Sequence, residues 1–113
     1  MNIMSTKVEI EVGSGNVYAD LGYDDAEEMR IKAGLAMKIG EIIKRKHYTQ
    51  MEAAAIVGLP QPKLSGLLRG QFRGISETKM IEVLNALGRD VQIIVGRASR
   101  KPAAKGRTTV IYA

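Results

Sequence analysis

Gln61, Lys63 and Ser65 bring three different hydrogen-bonding groups to one short stretch of a 113-residue chain. A carboxamide donates and accepts, an ammonium only donates, and a hydroxyl does either, so together they can read the donor and acceptor edges of bases. Gln61 is the strongest reader, because its amide can pair bidentately with adenine N6 and N7. Pro62 between them offers only an apolar contact, such as one to a thymine methyl. The surrounding groups suit phosphate instead: Thr49 and Gln50 before the stretch, Arg69 and Arg73 after it. No other cluster supports chemistry. His47, the only histidine, has neither Cys nor a carboxylate cluster beside it, and Asp24-Asp25 and Glu27-Glu28 fit a helix N-terminus. Gly13-Ser14-Gly15 lacks the Lys-Ser/Thr of a phosphate loop. No catalytic residue, metal site or cofactor is expected, and the chain reads as a non-enzyme.

These side chains act together only if the backbone holds them on one face, and Thr49 to Gly70 reads as two short helices joined by a tight turn. Thr49 can accept a hydrogen bond from a free backbone N–H and Glu52 completes a capping box, so the first helix starts at Gln50. Ala53, Ala54 and Ala55 are strong helix formers with little bulk, and Ala54 lies midway between Gln50 and Gly58, where a partner helix can cross closely. Gly58 supplies a left-handed cap, Leu59 plugs the turn, and Pro60 and Pro62 suit the boundary and first turn of the next helix. Gln61 to Arg69 forms that helix, with Leu64, Leu67 and Leu68 on one face and Gln61, Lys63, Ser65 and Gly66 on the other. Gly70 closes it. Such a helix-turn-helix places its second helix in the DNA major groove.

The pattern resembles the lambda-repressor/Cro-like (XRE) helix-turn-helix regulators. Their Thr-Gln, Ala, Gly, apolar turn residue, polar helix start, Ser and final Gly are here Thr49, Gln50, Ala54, Gly58, Leu59, Gln61, Ser65 and Gly70. On either side, Ser14 to Gly22 and Leu84 to Val95 look like the flanks of the HigA-like antitoxin branch of that family. The resemblance implies a sequence-specific repressor. Its antitoxin branch implies binding to a RelE-like ribonuclease toxin and repression of the operon encoding both, a type II toxin-antitoxin pair. In the family, positions matching Gln61 and Pro62 commonly contact bases, so Pro62 departs from the pattern. Gly66 likewise lacks the side chain that many relatives use one turn on. Readout would then lean more on DNA shape.

Lys7 to Val12 alternates strictly, setting Val8, Ile10 and Val12 on one side as in a half-buried strand. Asp24 or Asp25 caps a long helix to about Lys46, acidic at its start and basic at its end, with Met29, Ala33, Ala36, Ile39 and Ile43 as its apolar stripe. Ser76 caps a further helix, facing inward through Met80, Val83, Leu84 and Leu87 and stopped by Gly88. Val91 to Val95 follows, β-branched apart from Gln92, and a lone strand must find a partner. Lys7 to Val12, Thr108 to Tyr112, the same strand of a second subunit, or a strand of another protein all qualify. The plain reading pairs it with the N-terminal strand; the second-subunit reading makes Val91, Ile93 and Val95 an interface, for which the helix ending at Leu87 is the alternative. The expected architecture is a compact all-α, lambda-repressor-like bundle with short edge strands at the N-terminus and after the last helix. Three regions are expected: an acidic arm with a short strand (1–22), the helix-turn-helix domain plus strand (23–96), and a basic flexible tail (97–113).

At 45% hydrophobic, the chain supports one small domain. It has no Cys, only Met1 to Met4 precede polar sequence, and no apolar run approaches the roughly 20 residues of a membrane span. A cytoplasmic protein without a membrane partner is expected. The net charge of +5 divides unevenly: residues 1–28 hold one lysine against seven carboxylates, a net −6, leaving +11 on the remainder. The body suits double-stranded DNA while the arm meets something else. Val8, Glu9, Ile10 and Glu11 are the toxin-binding candidates, because an extended segment can join a sheet edge while its carboxylates face a basic surface. A single motif buries too little surface for tight specific binding, so a homodimer on a palindromic operator is expected. The alternative is a protein-interaction module, its helices and strands binding a partner without specific DNA recognition.

Overall fold

The computed structural model describes residues 8–9, 25–98 and 105–113. Among them the elements run β1 (Val8–Glu9), α1 (Ala26–Arg45), α2 (Gln50–Val57), α3 (Gln61–Leu68), α4 (Glu77–Ala86) and β2 (Ile111–Tyr112). The helix periodicities of the sequence thus become an all-helical bundle with two short strands beside it.

Helix α1 is the spine. Glu27 and Glu28 in its first turn and Lys44 and Arg45 in its last complement the helix dipole. Its stripe of Met29, Ala33, Ala36, Ile39 and Ile43 is buried as the period requires. Helices α3 and α4 pack against it, and Ile39, Ile42, Leu64, Leu67, Met80 and Val83 form the fully enclosed centre. After α1, His47 takes a left-handed φ of 59° and turns the chain toward α2, in keeping with its reading as a loop residue.

The buried face of α1 is wider than its apolar stripe. Arg30 and Lys32 are also buried, at 6% and 3% exposure, because segments distant in sequence lie over them. Arg30 Nη2 donates to Glu27 Oε2 at 3.1 Å and to the Thr108 carbonyl at 2.9 Å. Its Nε and the Tyr112 hydroxyl are enclosed without a partner among the described residues. Burial pushes the Tyr112 phenol up to about 12, since the phenolate would leave water.

Two expectations need correction here. Residues 91–98 form no strand, and β1 pairs instead with β2, antiparallel, with Val8 opposite Tyr112 and Glu9 opposite Ile111. The run from Val91 to Val95 therefore does not take the N-terminal strand as its partner. Nor does the expected flexible tail stay clear of the bundle at its end: Val110 packs against the core, and Thr108 is held by Arg30. Ile10 and Glu11 lie outside the described residues.

Candidate nucleic-acid interface

Helix α2 begins as its capping residues dictate. Thr49 Oγ1 accepts the Glu52 N–H at 3.1 Å while Glu52 Oε1 accepts the Thr49 N–H at 2.8 Å. That N–H bond holds the Glu52 carboxyl below the usual carboxylate range. Its contribution to stability is therefore present above the ordinary glutamate pKa and fades as pH falls through the depressed value. Thr49 was expected at a phosphate, but its amide and its acceptor oxygen are both engaged in the cap. Gln50 next to it is exposed, and the first-turn N–H groups that the helix does not use are those of Gln50 and Met51.

The turn into α3 follows from Gly58, which adopts φ 73°, and its N–H returns to the Ala54 carbonyl at 2.9 Å. A residue with a Cβ would be strained there. Leu59 is buried as the plug. Ala53 and Ala54 are buried on the inner side of α2, where their small side chains let α3 approach.

Helix α3 presents two unlike faces. Leu64 and Leu67 are fully buried and Leu68 is partly so, with its Cδ2 at the contact with Gly40 of α1. Gln61, Pro62 and Lys63 are exposed together at the opposite side of the helix start. Ser65 is half-buried and its Oγ accepts a hydrogen bond from Arg69 Nη1. Gly66 was expected on the outer face and is instead buried: the Gln71 side chain lies over it, so that a Cβ there would come 3.4 Å from Gln71 Oε1. The helix closes when Gly70, at φ 91°, sends its N–H to Leu67 while the Gln71 N–H reaches the Gly66 carbonyl at 2.7 Å.

The two expected phosphate cations have different surroundings. Arg69 is held by neutral groups, with Nη1 on Ser65 and Nη2 3.3 Å from Gln71 Oε1, so its charge remains uncompensated by these partners. Arg73, half exposed, forms an ion pair with Asp25 at the start of α1, which holds that carboxyl below its usual range chiefly through the hydrogen bond. The backbone beside it is tied down as well, because the buried Lys32 donates to the Arg73 carbonyl at 3.1 Å. Asp25, Lys32 and Gln71 were not foreseen as parts of this surface. A lysine in register with the apolar stripe of α1 and four residues after Glu28 was the available sign for Lys32; nothing local marked Asp25.

Helix α3 thus carries Gln61, Pro62, Lys63 and Ser65 with Arg69 at its C-cap, and Gln50 stands at the start of its partner helix. Val91, Ile93 and Val95 lie apart from this helix in the chain after α4, with 36%, 80% and 91% of their surface exposed. Among the described residues no helix is long and apolar enough to cross a membrane.

A helix-turn-helix domain family matches residues 17–96, spanning all four helices. A solved structure named as an XRE family transcriptional regulator is 37% identical, covering 79% of this chain and 99% of its own, with a TM-score of 0.71. No curated protein matches the sequence.

Proposed function

Since the chain belongs to the helix-turn-helix domain family, we propose that it is a transcriptional repressor that binds a palindromic operator as a homodimer. The observation that carries this reading is the two-sidedness of α3, with Leu64 and Leu67 sealed in the core while Gln61, Pro62 and Lys63 stand in solvent. Gln61 and Lys63 read base edges, Pro62 supplies an apolar contact, and Ser65 acts largely by steadying Arg69. Gln50, Arg69 and Arg73 meet phosphates, with Thr49 shaping the helix start that presents Gln50. Binding selection from random duplexes tests this reading. Gln61→Ala should cost about 1 to 3 kcal/mol and relax preference at one base pair. An unchanged site preference would remove Gln61 from the reading face.

The finer reading is an antitoxin of a type II toxin-antitoxin pair that represses its own operon. It is supported by the net −6 of residues 1–28 against the basic remainder and by the resemblance of the flanks. Glu9 and Glu11 would face a basic toxin of the RelE-like class. Their joint replacement, Glu9→Lys with Glu11→Lys, should abolish protection against the toxin encoded beside this chain while operator binding survives. Full protection by the doubly substituted protein would detach this arm from toxin recognition.

A further inference from the structure

The reading helix alone does not explain why the loop after α3 is tied so closely to the first turns of α1. Two of the contacts in this tie differ in kind. Lys32 is buried with its Nζ 2.8 Å from Glu28 Oε2 and 3.1 Å from the Arg73 carbonyl, so a desolvated ammonium fixes the backbone at Arg73. The second contact joins the Arg73 guanidinium to the Asp25 carboxylate, 48 residues away, with half of the arginine side chain and a third of the aspartate exposed. The first contact holds the backbone; the second engages only the charge. Arg69, four residues earlier, is held by Ser65 and Gln71 and meets no carboxylate among the described residues. Among the described residues Arg69 is thus steadied by neutral groups, while Arg73 is paired with a carboxylate.

We propose that Asp25 is an affinity-setting residue that competes with DNA phosphate for Arg73. Operator binding then requires the guanidinium to exchange a carboxylate for a phosphate. The exchange is physically accessible, because an ion pair this exposed contributes little net stability, whereas a phosphate accepts the planar guanidinium fork bidentately. Lys32 confines the change to the side chain, since the backbone at Arg73 stays anchored when the guanidinium turns away. Asp25 also stands where the acidic N-terminal segment enters α1, so a partner that reorients this junction would alter how much of Arg73 is available to DNA. The proposal rests on the reading of Arg73 as a phosphate contact.

The test uses the full chain and a mixed-sequence DNA duplex, with affinity measured by fluorescence anisotropy over a range of KCl concentrations. Asp25→Asn keeps a side chain suited to the helix start, and Asp25→Ser serves if helicity by circular dichroism falls. At low salt Asp25→Asn should tighten binding about two- to fivefold and steepen its salt dependence. Arg73→Ala should weaken binding and flatten the salt dependence by roughly one unit. Asp25→Asn in the Arg73→Ala background should give no gain, and Glu27→Gln, which removes a charge from the same turn, should give less than Asp25→Asn. A gain that persists without Arg73 reduces the effect to net charge and overturns the proposal, as does an Asp25→Asn protein that binds like the parent. If Arg73→Ala itself changes nothing, the phosphate reading of Arg73 fails and the competition falls with it. If Arg73→Ala weakens binding while Asp25→Asn is silent, the phosphate reading stands and only the competition is lost.

Discussion

Leu64→Ala lowers the stability of the bundle by about 2 to 5 kcal/mol, measured by urea denaturation. The parent side chain is fully enclosed, and truncation leaves a cavity between α3 and the core that a close-packed interior fills only in part. A small domain has about 5 to 15 kcal/mol to lose, so the substitution removes much of the margin and reaches DNA binding only where the parent lies at the low end of that range. Where it does, binding to every sequence should weaken alike, in contrast to Gln61→Ala, which is expected to change preference at one position. A cost below about 1 kcal/mol would mean that the inward face of α3 is loosely packed and that the two-faced description of this helix is wrong.

If the chain works as the proposed homodimer, Ile93→Pro should convert dimer to monomer and weaken operator binding by about a hundredfold or more, the scale on which tethering two half-site contacts exceeds one. Ile93 and Val95 expose most of their surface and stand in no strand of the single chain, so unpaired strand-forming residues remain for a second subunit. Proline removes the backbone N–H that a ladder would use. The position lies beyond the last helix, so the bundle itself should keep its helicity. Sedimentation at tens of micromolar and footprint length read the outcome. A parent protein that sediments as a monomer and protects a single half-site would end the dimer reading. A substituted protein that remains dimeric would move the interface elsewhere.

Much of the helix-turn-helix could be read from residues that act within one helical turn. Thr49 and Glu52 form their capping box and Gly58 its left-handed cap, and Ser76 caps α4 by accepting the Lys79 N–H. Leu64 and Leu67 are buried where their spacing puts them. Gly66 illustrates the limit. Helical periodicity set it on the outer face, but the chain folds back after Gly70 and lays Gln71 over it. Periodicity describes only the helix on which a residue sits, and the covering side chain came from the loop that follows.

Local features were legible in the chain as written: four helices with their starts and stops, a polar outer face on α3, and the division between an acidic beginning and a basic remainder. Each depends on residues within a few positions of one another, or on composition alone. Which strand-forming run pairs with β1 was settled instead by packing. Residues 7–12, 91–95 and 108–112 all carry β-branched residues suited to strands, and Ile111–Tyr112 takes the place. The tertiary structure likewise decided that Arg30 meets Thr108, that Lys32 holds the Arg73 carbonyl, and that Asp25 matches the charge of Arg73, across 78, 41 and 48 residues. Local propensity limits which conformations a segment adopts, but the partner of a buried charge or an unpaired strand is whatever distant segment the packed helices bring alongside it.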